Sequence, residues 1–189
     1  MNILAFGASN SLNSINKKLA SSISKYYKEH EDIIEVIDLN DYAMPIFSVD
    51  YELENGIPEQ ANQFASKIDW ADFIIISFAE NNGNYNACYK NITDWVSRIK
   101  NRKIYNNKPV FLLSTSPGMR GGQSVLEIAT KRLPFDGADV IDSFSLPEFH
   151  KNFQDGKGIT NILLRSQLES KVRNSKKYLK QKFEKKNDV

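Results

Sequence analysis

The chain is poor in the residues that build metal and redox centres: its 189 residues include one cysteine, Cys88, and two histidines, His30 and His150. A single thiol excludes an intramolecular disulfide framework and any paired-cysteine metal or redox motif. The two histidines stand in no ligand spacing with one another, which argues against a transition-metal centre. Charge of one sign is also missing. Twenty-five basic against 23 acidic residues leave a net charge of +2, so nothing global points to nucleic acid or to a membrane surface. No apolar run approaches the roughly 20 residues of a membrane span, and the stretch Asn2 to Phe6 is too short for a signal-peptide core, so a cytoplasmic protein is expected. Hydrophobic residues at 41% and charged residues at 25% are ordinary for a soluble globular protein. The length suits one domain, 1–189, with a proper core.

What is present is a regular alternation of strand and helix patterns. Ile3 to Phe6 reads as a strand, and a helix follows whose residues Ile15, Leu19, Ile23 and Tyr27 share one face, predicted to end near His30 with Lys17, Lys18 and Lys25 pointing away. Ile33 to Asp38 is a second, β-branched strand. The polar, acidic stretch from Ser48 to Pro58 reads as a surface excursion, and Glu59 to Ile68 returns to helical spacing. Phe73 to Phe78 and Val110 to Ser114 are continuous apolar runs of the kind that parallel strands need when helices cover both faces. Ala87 to Arg98, Gln123 to Leu133 and a last segment from about Asn161 read as helices, and Asp139 to Phe144 as a fifth strand. Five strands alternating with helices predict an α/β doubly wound parallel sheet, because parallel neighbours need right-handed crossovers over the sheet faces. Such a sheet binds its ligand beyond the carboxyl ends of its strands.

Three loops follow strands and carry side chains suited to a ligand. The first, Gly7-Ala8-Ser9-Asn10-Ser11-Leu12-Asn13-Ser14, leads into the helix that opens with Ile15 and Asn16. Free helix amides, the helix dipole and neutral hydroxyls make an anion site, and Ser14 also reads as the helix cap. The loop has one glycine and no lysine before the helix, so it matches neither the dinucleotide fingerprint nor the nucleoside-triphosphate loop. The second loop, Ala79 to Asn86, is rich in asparagine, which favours irregular backbone. The third, Ser114-Thr115-Ser116-Pro117-Gly118-Met119-Arg120-Gly121-Gly122, has three glycines that remove side chains where something flat would approach the backbone.

Together these loops resemble the NADPH-dependent FMN reductase family. Its first-loop pattern, Gly-Ser-x-Arg-x-x-Ser-x-Asn, falls on Ala8, Ser9, Ser11, Ser14 and Asn16; three of the five agree, and Ser11 replaces the arginine. Its Pro-Glu-Tyr-Asn, Leu-Lys-Asn and Asp-Trp elements are kept as Glu80, Asn82, Lys90, Asn91, Asp94 and Trp95, with Ala79 for the proline and Asn81 for the tyrosine. Its Ser-x-Ser-Pro-Gly-x-x-Gly-Gly element matches Ser114 through Gly122. The resemblance implies a flavodoxin-like fold with strand order 2-1-3-4-5. It also implies noncovalent FMN, with hydride passing from NADPH or NADH to the flavin and on to a small acceptor (flavin, quinone, azo compound or metal oxyanion) by ping-pong. The FMN contacts it implies are Ser9, Ser11, Ser14, Ile15 and Asn16 for the phosphate, Glu80, Asn81, Asn82 and Gly83, and Ser114, Ser116, Pro117, Gly118, Gly121 and Gly122 beside the ring. The flavin then carries the chemistry, and no side-chain nucleophile or base is required.

Arg120 is placed where the nicotinamide nucleotide or acceptor would enter. Cys88 reads as a small, partly apolar core residue. The family resemblance also implies a homodimer or homotetramer, for which Trp95 and Ile99 would offer apolar surface. The segment from Lys171 to Lys186 carries eight basic residues against Glu184 and reads as the solvated face of an amphipathic helix. The rival reading is a flavodoxin-type electron carrier with no substrate of its own; Arg120, Lys90 and the absence of net acidity weigh against it. A flavin-free interaction domain on the same fold is the third.

Overall fold

A computed structural model of the chain describes residues 1–187. Five parallel strands form its sheet: β1 (Asn2–Ala8), β2 (Ile33–Ile37), β3 (Phe73–Phe78), β6 (Pro109–Thr115) and β7 (Asp139–Leu146), in the order β2-β1-β3-β6-β7. Two short antiparallel hairpins stand apart from it, β4 (Glu80–Asn81) with β5 (Asn84–Tyr85) and β8 (Phe153–Gln154) with β9 (Gly158–Ile159). The central strands are buried on both faces, as their unbroken apolar runs require, and successive residues alternate between two core layers. Leu4, Phe6, Ile74, Ile76 and Leu112 meet α3 (Glu59–Trp70), α4 (Ala87–Val96) and α5 (Gln123–Arg132). Ile3, Ala5, Phe73, Ile75 and Phe111 meet α1 (Ile15–Ser24) and α7 (Ile162–Asn187). Each such fully buried Leu, Ile or Phe side chain contributes about 1.5–3 kcal/mol relative to exposure.

Several elements depart from the sequence reading. Helix α1 ends at Ser24 rather than near His30, because i→i+3 bonds at Tyr26 and Tyr27 tighten the chain. That turn carries Tyr27 into the core, where its hydroxyl lies 2.6 Å from Ser175 Oγ on α7. The Ser48–Pro58 excursion is exposed as expected, yet Val49–Asn55 forms a helix, α2, capped by Ser48 Oγ on the Tyr51 amide. Lys17 does not point away: its Nζ lies 2.6 Å from Asp38 Oδ2 at the end of β2. Burial works against the Asp38 carboxylate, but Lys17 and Asn40 outweigh it and hold its pKa below the usual range. The basic face of α7 is likewise partly committed, with Lys171 bound to Asp142 at 2.6 Å and Lys182 paired with Asp139 on β7. No helix among the described residues is long and apolar enough to cross a membrane.

Candidate functional site

At the carboxyl edge of the sheet, where the topology switches direction between β1 and β3, a cleft of about 240 Å³ opens. Its floor is the first loop. Gly7 lets the start of α1 sit against β1, since a Cβ there would lie 2.4 Å from the Lys17 amide nitrogen. Ser9 Oγ accepts from the Ser11 amide at 3.2 Å, and Ser14 Oγ accepts from the Lys17 amide at 3.1 Å. The Lys17 amide is thereby taken, while those of Ile15 and Asn16, as first-turn groups, have no intrahelical acceptor. The Ser14 hydroxyl proton is also left to donate, because its bond to Lys17 uses a lone pair. The lining therefore offers an anion two amides and the hydroxyls of Ser9, Ser11 and Ser14.

Asn16 lines the same cleft but points its side chain inward. Its Oδ1 accepts from Ser77 Oγ at 2.7 Å and from the Thr115 amide at 3.1 Å, and its Nδ2 donates to the Thr115 carbonyl at 3.2 Å. It is a buried pin between α1, β3 and β6, and its group for an anion is the backbone N–H. Glu80 also lines the cleft, with Oε2 accepting from the Val125 amide at 3.1 Å. Helix α5 has no side-chain cap of its own, since Gly122 occupies its N-cap at φ 75°; Glu80 caps it from β4. The N-terminus of α5, next to the Gly121-Gly122 pair, is thus partly occupied by this carboxylate.

The other expected residues divide between the cleft and its surroundings. Asn81, Asn82 and Gly83 lie on the exposed β4–β5 hairpin, whose turn has φ 51° at Asn82 and 75° at Gly83; they do not line the cleft. Ser116 and Pro117 do line it, and Gly118 is exposed on the same loop. Ser114 is buried, donating to the Gly121 carbonyl at 2.8 Å. Gly121 and Gly122 are required by the protein's own packing: a Cβ on Gly121 would lie 2.5 Å from Ser145 Oγ, and one on Gly122 would lie 3.1 Å from Ser114 Cβ. Arg120 is exposed, with Nη2 donating to Ser124 Oγ at 2.7 Å.

Of the family-like residues on α4, Asn91 and Trp95 are scaffold, while Lys90 and Asp94 pair with one another at 2.6 Å on the surface. Asn91 Oδ1 accepts from the Phe47 amide, and Trp95 Nε1 donates to the Pro45 carbonyl at 2.7 Å. Trp95 is fully buried, with the rings of Phe47 and Tyr51 edge-on to it at 5.0 and 5.8 Å. It offers no surface to a second subunit, contrary to the sequence expectation. Cys88 is half-buried, and burial pushes its thiol up to about 11. Sequence reasoning passed over His150, which lines the cleft from α6 (Phe149–Asn152). No local pattern marks it, because only the end of β7 brings it there. No group of three or more potential metal ligands is assembled among the described residues.

Neutral donors converging on a helix N-terminus, with Glu80 turned to another helix, fit a phosphate monoester. An uncharacterised protein of Mycoplasma pneumoniae is 29% identical over 157 residues, 81% of this chain and 91% of that protein. The quinone reductase of Escherichia coli K12 is 30% identical over 106 residues, 56% of this chain and 54% of the enzyme's own length. Among solved structures, the flavoenzyme NAD(P)H:(acceptor) oxidoreductase FerB of Paracoccus denitrificans superposes with a TM-score of 0.74 at 20% identity, covering 95% of this chain and 97% of that one. An FMN-dependent NADH-azoreductase of Bacillus anthracis, in complex with FMN, has the same flavodoxin-like fold, with a TM-score of 0.61 at 12% identity over 96% of this chain and 99% of that one. The profile of one family covers residues 1–151, all five sheet strands and the whole cleft included, and by that match the chain belongs to the NADPH-dependent FMN reductases, oxidoreductases that work with FMN and NAD(P)H.

Proposed function

We propose that residues 1–189 act as one FMN-binding unit that uses NAD(P)H to reduce a small acceptor. The observation that carries this reading is the cleft, which gathers two free amides and three hydroxyls at the switch point of the sheet. Ser9, Ser11 and Ser14, with the amides of Ile15 and Asn16, hold the phosphate. The ring lies between the Glu80–Gly83 hairpin and the Ser116–Gly118 turn, which Ser114, Gly121 and Gly122 keep in shape. Arg120 meets the nicotinamide nucleotide. When bound, FMN supplies the hydride chemistry, from NAD(P)H to the acceptor. The acceptor class is a quinone, an azo compound, free flavin or a metal oxyanion; relatives described as quinone reductases and azoreductases favour the first two. Access to one ring face by two flat molecules in turn makes the kinetics ping-pong. A homodimer or homotetramer belongs to the same reading, with exposed Ile46, Val49 and Leu53 as its apolar surface in place of Trp95.

The visible spectrum of the purified protein tests this. It is expected to be yellow, to bleach within minutes on anaerobic addition of NADPH or NADH, and to recover its colour with a quinone. A flavin that dithionite reduces and neither nucleotide does would make the protein an electron carrier instead.

A further inference from the structure

The carboxyl edge of the sheet carries two helix N-termini, and the chain treats them differently. That of α1 is capped by the neutral Ser14, and the amides of Ile15 and Asn16 have no intrahelical acceptor. That of α5 sits over the ends of β3 and β6, where a Cβ on Gly122 would lie 3.7 Å from the Phe78 carbonyl oxygen and 3.1 Å from Ser114 Cβ. Of its first three amides, Gln123 donates to the Arg120 carbonyl at 3.0 Å and Val125 to Glu80 Oε2 at 3.1 Å. Neither helix has an acidic residue in its own first turn. The carboxylate on α5 is brought from β4, 45 residues before its partner. A hydroxyl or amide side chain would cap the helix as well, so capping alone does not call for a charge half-buried in the wall of the cleft.

Reduction of a flavin by hydride delivers two electrons and one proton, so the reduced ring carries one more negative charge than the oxidised ring. A helix N-terminus beside the ring stabilises that charge, and an anion on the same helix end offsets it. We infer that Glu80 lowers the reduction potential of the bound flavin, its carboxylate countering the N-terminus of α5. This rests on the proposed function, which places the ring between the Glu80–Gly83 hairpin and the Ser116–Gly118 turn. Two other charges stand near the start of α5, both exposed: Arg120, with Nη2 donating to Ser124 Oγ at 2.7 Å, and Glu127, with Oε1 accepting from Gln123 Nε2 at 3.1 Å. Solvent screens them, which leaves Glu80 as the half-buried charge of the three. Glu80 is thus a positioning residue that acts through α5, and the lower potential makes the reduced flavin a stronger reductant toward the acceptor.

The test is an anaerobic reductive titration of the FMN-loaded protein against a reference dye, read by the absorbance of flavin and dye. Glu80→Gln keeps an acceptor for the Val125 amide and removes the charge. At a dye poise that half-reduces the wild-type flavin, this variant is expected to show a reduced-to-oxidised ratio about three- to tenfold higher. Glu127→Gln, which removes an exposed charge from the same helix, should leave the ratio at the wild-type value. A role confined to capping would lower the stability of Glu80→Gln and leave its ratio unchanged; an unchanged or lower ratio overturns the inference and leaves the reductase reading intact. Should Glu80→Gln not fold, Glu80→Asn, equally uncharged, is read in the same way. Loss of FMN from both variants also overturns the inference, because Glu80 would then hold the cofactor rather than tune it. A wild-type protein that binds no FMN overturns the proposed function and this inference together.

Discussion

Asn16 is satisfied by partners 61 and 99 positions away in sequence. Replacing it by alanine leaves the Ser77 hydroxyl and the Thr115 amide buried without an acceptor, at about 1–3 kcal/mol each. Asn16→Ala is therefore expected to lower the unfolding free energy by about 3 kcal/mol in urea titration, with FMN binding weakened because the α1 turn is no longer pinned. A loss under about 1 kcal/mol would mean that water replaces the amide at no cost. Ser14, by contrast, was legible as the cap of α1, because a cap is a local pattern. That the Asn16 side chain turns inward was not legible, since the choice between an anion and the Thr115 backbone is made by a strand almost a hundred residues later.

Strands defined by unbroken apolar runs were read close to their true extent, and those of two residues were not. Strands β3 and β6 announce themselves because both faces are buried. The β4–β5 hairpin has no room for a period, although Asn82-Gly83 is the pair that a tight hairpin turn selects. The cap of α5 was hidden for a different reason: it comes from Glu80, 45 residues before its partner. A carboxylate at a helix N-terminus adds charge to the hydrogen bond, so Glu80→Ala should cost about 1–2 kcal/mol, and Glu80→Gln, which keeps an acceptor, roughly half as much. Equal losses in chemical denaturation would remove the charge from this account.

For the whole molecule, the net charge of +2 on 189 residues gives little self-repulsion to oppose association. Val49 and Leu53 share one face of α2 and, with Ile46, are 59%, 80% and 86% exposed. Light scattering at micromolar concentration is expected to report at least twice the 21.6 kDa of one chain, and Leu53→Lys to shift it toward the monomer. A monomer in the unmodified, FMN-loaded protein would contradict the assembly. The order in which the chain is made adds a further consequence. The sheet face that carries Ile3, Ile75 and Phe111 is closed by α1, near the start, and by Leu168, Val172 and Leu179 of α7, near the end. Synthesis runs at about 5–20 residues per second, so this face stays half-covered for seconds after the first loop and all five strands have emerged. During that interval the nascent chain exposes apolar surface of the kind that chaperones and proteases recognise, and a ribosome that stalls before residue 162 leaves a product with its cleft sequences complete and this face half-covered.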